Sequence, residues 1–376
     1  MKDLRFRRQV DDCRPYIAGE SEASVLRRYG LERVVKLGSN ENPFAPYPHE
    51  LEAMKESLGH LNRYPEDDYI GLTETIAEKN GVKRENVALG SGAGNVIETV
   101  SRLFLDEGDE VLIARPTYRL YREVSKLMGA KVIEVPVRAD FTYDLAAMKD
   151  AVTERTKMIW LCNPNNPTGA VNDPGEIEAF IDEVGDRVWV AVDEAYADFI
   201  DDGRRPDLVS RINDRKIVII RTFSKFYGLA GARVGCVIAA SDVIGRYDTI
   251  TEPFCVNRTG LFAANAALTK DGSVCREVRD TIALERHLIE NELLALQMKF
   301  VPSQSNFIFT RLPGGLSADD VCEEMMSRGV IIRSCSSWGY DDFVRITVGL
   351  PRENAEMLRV LGAVLEECGV RPQENE

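Results

Sequence analysis

The stretch IVIIRTFSK, residues 217–225, decides the fold of this chain. Its apolar, β-branched run 217–220 predicts a buried strand of a parallel sheet, because such strands are covered on both faces. The strand leads into Thr222, Ser224 and Lys225, and Arg233 follows after a short aromatic and glycine-containing segment. The stretch therefore predicts that one amine, two hydroxyl groups and one guanidinium meet at the end of a strand.

A lysine in such surroundings has a defined chemistry. Loss of hydration disfavours the ammonium form, so the pKa of Lys225 falls and its amine becomes a nucleophile toward aldehydes. Thr222, Ser224 and Arg233 can hold a phosphate dianion through charge-assisted hydrogen bonds. These groups suit pyridoxal 5′-phosphate (PLP), bound to the lysine as a Schiff base. An isolated Ser-Lys pair is more often a solvated surface feature, so this interpretation depends on the rest of the chain.

The composition narrows the classes of partner. The chain has 376 residues, enough for a large core and two domains, and a net charge of −14, which argues against nucleic-acid and anionic-membrane partners. The cysteines form no Cys-x-x-Cys pair and the three histidines have no metal-ligand spacing, so we expect no metal. No apolar run is long enough to span a bilayer, and the charged residues 1–13 do not resemble a signal peptide. We expect a cytoplasmic protein.

Strand-like and helical runs alternate between residues 87 and 225, which predicts an α/β fold with a mostly parallel central sheet. The glycine-rich segment Gly90–Gly94 follows a strand and opens a helix, so its amides can bind an anion. Its spacing matches neither the dinucleotide fingerprint nor a Walker loop, and a plain strand-to-helix turn is the alternative. Ligands of such sheets bind beyond the carboxyl ends of the strands. The groups expected there are Gly90–Gly94, Tyr118, Asn166, Asp193 and Lys225.

The sequence predicts three parts. Residues 1–36 form an N-terminal arm, residues 37–258 a large cofactor-binding domain, and residues 259–376 a smaller α+β domain. Arg333 and Arg345 lie at or near strand ends of the smaller domain. Each alone is more often structural, but a pair of arginines across an interdomain cleft would form an anion receptor for the substrate.

Ordered motifs over essentially the whole chain resemble those of the fold-type I PLP-dependent aminotransferases. The motifs are Ser39-Asn40-Glu41-Asn42-Pro43, Arg63-Tyr64-Pro65-Glu66, Gly90-Ser91-Gly92-Ala93-Gly94, Pro116-Thr117-Tyr118, Asn163-Pro164-Asn165-Asn166-Pro167-Thr168-Gly169, Asp193-Glu194-Ala195-Tyr196, Thr222-Phe223-Ser224-Lys225, Arg233-Val234-Gly235 and Arg345-Ile346-Thr347-Val348-Gly349. The first two are similar to those of the histidinol-phosphate group of that family.

The resemblance implies a role for each site residue. Lys225 would hold the cofactor and then act as general acid and base, and Asp193 would pair with the protonated pyridine nitrogen. Further implied contacts are stacking on the ring by Tyr118, hydrogen bonds to the ring oxygen from Asn166 and Tyr196, and a phosphate site formed by the backbone of Ala93 and Gly94 with Thr222, Ser224 and Arg233.

The resemblance also implies a homodimer with shared active sites, in which Tyr64 reaches the cofactor phosphate of the neighbouring subunit. A tyrosine that only packs before Pro65 is the alternative. Arg345, assisted by Arg333, would bind the substrate phosphate and, in the other half-reaction, a carboxylate of glutamate. Asn306 would help to position that end, and Tyr16 would close over the substrate. Ala18 stands where the family often has proline, which weakens the inference for Tyr16.

The leading interpretation is a transaminase that converts L-histidinol phosphate and 2-oxoglutarate to imidazole-acetol phosphate and L-glutamate in histidine biosynthesis. A threonine-phosphate decarboxylase and a broad aromatic amino-acid aminotransferase are alternatives on the same fold. Glu41 in Asn-Glu-Asn-Pro favours the transaminase over the decarboxylase. A regulatory protein on this scaffold would carry an N-terminal DNA-binding domain, for which the first 33 residues are too few.

Overall fold

The computed structural model describes residues 6–15, 19–201 and 203–370. Its β-strands, in chain order, are β1 (Val35–Lys36), β2 (Val87–Gly90), β3 (Glu110–Arg115), β4 (Lys131–Pro136), β5 (Thr156–Cys162), β6 (Trp189–Asp193), β7 (Ile217–Thr222), β8 (Gly235–Ala239), β9 (Lys299–Val301), β10 (Phe307–Arg311), β11 (Val330–Ile331), β12 (Arg333–Ser334) and β13 (Phe343–Thr347). Its α-helices are α1 (Glu22–Tyr29), α2 (Pro48–Ser57), α3 (Glu66–Asn80), α4 (Gly92–Phe104), α5 (Arg119–Leu127), α6 (Leu145–Asp150), α7 (Pro174–Val184), α8 (Ser241–Ile250), α9 (Arg258–Thr269), α10 (Gly272–Ala295), α11 (Ala318–Ser327) and α12 (Pro351–Glu367).

The central sheet has seven strands in the order β2-β8-β7-β6-β5-β3-β4. The pairs among β3, β4, β5, β6 and β7 are parallel, whereas β8 runs antiparallel to both of its neighbours. The predicted α/β fold with a mostly parallel sheet is confirmed. Strand β8 was not predicted from the sequence; it runs antiparallel to β7 and begins directly after the segment that carries Arg233.

Both faces of the central sheet are covered by apolar side chains. Ile217 and Ile219 of β7 belong to one apolar cluster, and Val218 and Ile220 belong to the cluster on the other face. This alternation explains the continuous apolar run 217–220, because a strand that is buried on both faces needs apolar residues at every position.

The smaller sheet is antiparallel, with the order β12-β13-β10-β9. Its core contains Phe307 and Val344 of the strands, Leu293 of α10 and Leu361 of α12. The apolar run 330–332 and Arg333 look like one strand in the sequence, but they divide between two sheets. Val330 pairs in parallel with Val35 of β1, whereas Arg333 pairs with β13, so the chain changes sheets at this point.

Two segments pack with a different part than their position in the chain suggests. Helix α9 begins at residue 258, but its Leu261, Ala263 and Ala264 lie in the apolar cluster of the central sheet. Strand β1 of the N-terminal arm pairs with β11 next to the smaller sheet. The division at residues 36 and 258 stays a prediction, and the packing of α9 favours a boundary nearer to the start of α10.

All eight cysteines are free thiols. Within the described ranges, no helix is long and apolar enough to cross a membrane. In the same part of the chain, no group of three or more His, Cys, Asp or Glu side chains is arranged to hold a metal ion.

Candidate active site

A cavity of about 250 Å³ lies at the carboxyl edge of the central sheet. Strands β6 and β7 end at this edge, and the glycine loop at the start of α4 borders it. Arginines from the smaller sheet form part of its wall. The predicted site residues that line the cavity are Ala93, Gly94, Tyr118, Asn166, Asp193, Tyr196, Thr222, Ser224, Lys225, Arg233, Arg333 and Arg345.

Lys225 presents its amine to this cavity. The Nζ atom donates a hydrogen bond to the carbonyl oxygen of Ser39 at 3.0 Å. Burial, and after it the positive charge of Arg345, together lower the pKa of Lys225 to about 8. A much larger fraction of this amine is therefore neutral near pH 7 than for an exposed lysine, and the neutral amine is the nucleophile.

Asp193 ends β6 and is 3% exposed. Its Oδ2 atom accepts a hydrogen bond from the Tyr121 hydroxyl at 2.6 Å, and its Oδ1 atom accepts one from the Ala195 amide at 2.9 Å. Burial raises the pKa of Asp193 to about 6, and these two hydrogen bonds oppose the rise. A buried carboxylate is costly without a cation, so this group is suited to a cationic ligand atom.

The glycine loop and Arg233 approach each other closely. Gly92 has φ +79°, and a Cβ atom there would lie 2.3 Å from Nη2 of Arg233. A Cβ atom on Gly235 would lie 2.6 Å from the amide nitrogen of Ala93. A side chain at Gly92 would therefore collide with the guanidinium, and one at Gly235 would collide with the backbone of the helix start. Glycine at both positions allows Arg233 and β8 to approach the amides of this helix start, where an anion can bind.

Two hydroxyl groups complete this anion cradle. The Thr222 hydroxyl donates to Oγ of Ser224 at 3.0 Å and also accepts a hydrogen bond from the Ser224 amide at 3.1 Å. Arg233 itself has a left-handed backbone, φ 57°, and its Nη1 atom donates to the carbonyl oxygen of Ala230 at 2.9 Å. Backbone amides, hydroxyl groups and a guanidinium thus converge, a donor set that fits a phosphate dianion.

The polar groups opposite Lys225 form a connected network. Arg345 donates from Nη1 to Oδ1 of Asn166 at 2.6 Å and from Nη2 to the carbonyl oxygen of Gly38 at 2.9 Å. The Tyr196 hydroxyl accepts a hydrogen bond from Nδ2 of Asn40 at 2.9 Å, and burial raises the pKa of this tyrosine. The loop that contains Asn40 therefore connects the smaller sheet to the cavity wall.

Two predicted residues in the described part of the chain do not line this cavity. Asn306 is fully buried behind the wall, where its Nδ2 atom donates to the carbonyl oxygen of Asn40 at 3.1 Å. Tyr64 is 73% exposed and stacks on Phe254, with 5.2 Å between ring centroids. Tyr16 lies outside the described residues.

Sequence reasoning missed Tyr121 and Trp338. Tyr121 is fully buried, stacks on Trp160 with 4.8 Å between ring centroids, and holds Asp193. Its signal was its place in the first turn of α5, three residues after Tyr118, at the edge where the other site groups converge. Trp338 lines the cavity from a turn between β12 and β13. No motif near it in the sequence indicates a place at the site.

The residues of the cavity fit PLP. A partly neutral amine, a buried carboxylate and a phosphate cradle are the three groups that this cofactor requires, and they lie around one cavity. The structural feature that fits the phosphate best is the convergence on this cavity of Ala93, Gly94, Thr222, Ser224 and Arg233.

Residues 32–360 match the family model described as aminotransferase class I and II. The chain belongs to this family. This aminotransferase is 36% identical, over 96% of its length and 93% of the relative's, to a histidinol-phosphate aminotransferase of Moorella thermoacetica. It is also similar to the crystal structure of a histidinol-phosphate aminotransferase from Sinorhizobium meliloti in complex with pyridoxal-5′-phosphate, with 26% identity, a TM-score of 0.90 and coverage of 97% and 98%.

The aminotransferase fold also occurs in a protein with a different activity. An L-threonine-O-3-phosphate decarboxylase from Porphyromonas gingivalis has a TM-score of 0.77 and 23% identity, over 89% of this chain and all of that one. This likeness concerns the fold alone. The site residues, and not the fold, must therefore distinguish transamination from decarboxylation.

Proposed function

We propose that this aminotransferase uses PLP to convert L-histidinol phosphate and 2-oxoglutarate to imidazole-acetol phosphate and L-glutamate. The observation that carries the proposal is a convergence of four side chains on one cavity. They are those of Lys225, Asp193, Arg333 and Arg345. The 36% identity to a histidinol-phosphate aminotransferase over nearly the whole chain supports this substrate. The expected place of the reaction is histidine biosynthesis in the cytoplasm.

PLP, when bound, supplies the electron sink that makes the Cα–H bond of an amine substrate acidic. The chain's own residues then divide the work. The Lys225 amine would hold the cofactor and would move a proton to and from the substrate Cα. Asp193, held by Tyr121, would stabilise a positive charge on the ring nitrogen. Tyr118 would pack on the ring face, and the anion cradle around Arg233 would hold the phosphate, so that the reacting atoms would stay near Nζ of Lys225.

The arginines at the far side of the cavity bind the anionic end of the substrate. Arg345 is 6% exposed, so water screens its charge little. We infer that Arg345 and Arg333 bind the phosphate of L-histidinol phosphate in one half-reaction and a carboxylate of glutamate in the other. Asn306 would not contact the substrate directly. It would position the substrate end through its hydrogen bond to the loop that contains Asn40.

We propose a homodimer in which Tyr64 contributes to the site of the neighbouring subunit. Tyr64, Leu58 and Leu61 expose 73%, 57% and 57% of their surface around the end of α2. Phe254 adds 38% exposure beside Tyr64. Such a patch of apolar side chains is suited to burial by a second copy of the chain. A Tyr64→Ala variant should remain dimeric in sedimentation and lose PLP affinity; unchanged affinity would contradict this role.

The spectrum of the purified protein tests the proposed function. The PLP-loaded protein should be yellow, should bleach on borohydride reduction, and should carry the reduced label on Lys225. Addition of L-histidinol phosphate should remove the visible absorbance, and 2-oxoglutarate should restore it. If phosphothreonine, tyrosine or phenylalanine produces this change and L-histidinol phosphate does not, the substrate assignment is wrong.

A further inference from the structure

Trp338 lies beside both arginines of the substrate end. The centroid of its ring is 5.7 Å from Cζ of Arg333 and 5.8 Å from Cζ of Arg345, and both distances are within the range of cation–π interactions. We propose that Trp338 is a specificity-determining residue that holds this arginine pair in place for a dianionic phosphate group. The inference rests on the proposed function and adds a residue to the same site.

The register of the two arginines brings like charges close together. Arg333 of β12 and Arg345 of β13 are direct cross-strand partners in an antiparallel pair, so both side chains leave the same face of the sheet. Like charges at such positions repel each other, and the near-complete burial of Arg345 weakens the screening by water. The electron-rich ring faces of Trp338 and of Phe307, 5.4 Å from Cζ of Arg345, offset this repulsion.

Trp338 is also fixed to the cofactor side of the cavity. Its Nε1 atom donates a hydrogen bond to the carbonyl oxygen of Thr117 at 2.9 Å. The Thr117 hydroxyl donates to Oδ1 of Asn165 at 2.9 Å, and the next residue is Tyr118 of the cavity wall. One indole therefore contacts both arginines, of which Arg345 is also held by Asn166 and Gly38, and connects them to the loop that precedes Tyr118.

The chemistry of the ligand follows from the two guanidinium groups. A phosphate monoester carries nearly two negative charges and three acceptor oxygens, so it can accept hydrogen bonds from both arginines at once. A carboxylate has one charge and two oxygens. Loss of the indole would let the arginines move apart. This change should weaken the binding of a substrate that carries a phosphate more than the binding of the same substrate without the phosphate.

A pair of ligands that differ only in the phosphate tests the proposal. We would titrate PLP-loaded wild type, Trp338→Leu and Trp338→Phe with L-histidinol phosphate and with L-histidinol, and follow the visible absorbance. The leucine variant should bind L-histidinol phosphate about tenfold more weakly, because two cation–π contacts are lost, and L-histidinol less than twofold more weakly. The phenylalanine variant keeps a ring face and loses the Thr117 hydrogen bond, so its effect should be intermediate.

Trp189→Leu is the matched control. Trp189 begins β6, at the opposite end of this strand from Asp193, and packs on Phe104 with 4.4 Å between ring centroids. Its loss should leave the ratio of the two affinities unchanged. Equal weakening of both ligands by Trp338→Leu, or no weakening, would overturn the proposal.

The wild-type titration distinguishes a failure of the proposed function from a failure of this inference. If the wild type does not react with L-histidinol phosphate, the proposed function fails. Inorganic phosphate and acetate, as ligands of the same PLP-loaded proteins, then replace the substrate pair. A Trp338→Leu variant that loses phosphate affinity selectively supports the inference, and one that loses both affinities equally or neither contradicts it.

Discussion

The two sides of the cavity are built in different ways. On the sheet side, Asp193 and Lys225 come from neighbouring parallel strands, and Asp193 is in register with Ile220 of β7. On the other side, Arg333 and Arg345 come from an antiparallel pair and are held by Trp338, Asn166 and the loop at Gly38. Strand ends of the central sheet position the first set, whereas the guanidinium groups of the second set also depend on contacts with residues outside both sheets.

This difference predicts on which side a substitution will shift the position of neighbouring residues. Backbone positions in a buried parallel sheet are set by many hydrogen bonds and by a packed core on both faces, so they move little when one side chain changes. A position that depends on a few side-chain contacts can shift when one of them is lost. Substitutions on the sheet side should therefore affect chemistry, and substitutions on the arginine side should affect the affinity and choice of substrate.

Lys225→Ala should have the largest effect. Loss of the nucleophile and of the proton carrier should reduce turnover by about 10⁴-fold, since general acid–base catalysis alone contributes up to that factor. The variant should keep its melting temperature and should take up PLP without a borohydride-stable bond. Measurable turnover within a factor of ten of wild type would exclude Lys225 from the reaction.

Asp193→Asn should have the next largest effect. It removes the buried negative charge next to the ring nitrogen but preserves the shape of the side chain, and an unpaired buried charge costs about 3–5 kcal/mol. We expect turnover to fall by about 10³-fold with little change in the KM for either substrate. Circular dichroism should show an intact fold, and near-normal turnover would remove Asp193 from its proposed role.

Arg345→Gln tests the other side of the comparison. Loss of one charge-assisted contact to the substrate should raise the KM for L-histidinol phosphate by about 100-fold. The affinity for PLP, measured by equilibrium dialysis, should change little, since the phosphate cradle is on the sheet side. A comparable loss of PLP affinity would show that the two sides are not separate.

The rate at which apoenzyme combines with PLP should depend on pH through Lys225. Burial, with a further contribution from Arg345, lowers the pKa of Lys225 to about 8. Below this pH the amine is protonated, so the rate should fall about tenfold per pH unit, and above it the rate should level off. Stopped-flow absorbance measures this profile. Arg345→Gln should move the midpoint to higher pH, whereas a wild-type rate that still rises above pH 9 would contradict the lowered pKa.

Tyr121→Phe should have the smallest effect. The substitution removes the hydrogen bond to Asp193, which should weaken PLP binding by about tenfold. Because this hydrogen bond lowers the pKa of Asp193, its loss should raise that pKa, and the loss of PLP binding at acidic pH should begin at a higher pH. Tyr143→Phe is the control, because its buried hydroxyl bonds to the carbonyl oxygen of Cys162 and to Asn165 but not to Asp193. Both variants should lose similar thermal stability, and only Tyr121→Phe should move the pH dependence.

The sequence predicted the sheet side well. The run 217–220 and the position of Asp193 at the end of an apolar run are local features, and a parallel α/β sheet brings such strand ends to one edge. The sequence could not predict β8. Its antiparallel pairing with β7 depends on β6 occupying only one side of β7, and this arrangement is set by the whole sheet. The split of 330–333 between two sheets has the same cause, since each half pairs with a partner distant in the chain.

The contacts of Tyr121 and Trp338 required the tertiary structure. Tyr121 lies 72 residues from Asp193 in the chain, and Trp338 lies 221 residues from Thr117. No motif marks either residue, and the position of Tyr121 three residues after Tyr118 does not show which group its hydroxyl would reach. Only their neighbours give them a role.

The sequence by itself determined the α/β fold and the places of Lys225, Asp193 and the glycine loop at strand ends, since each depends on residues adjacent in the chain. The tertiary structure decided how those groups are tuned and how the substrate end is shaped. The physical reason is that burial and the charge of Arg345 set the pKa of Lys225, and the register of β12 on β13 sets the pairing of Arg333 with Arg345. Both depend on contacts between residues that are distant in the chain.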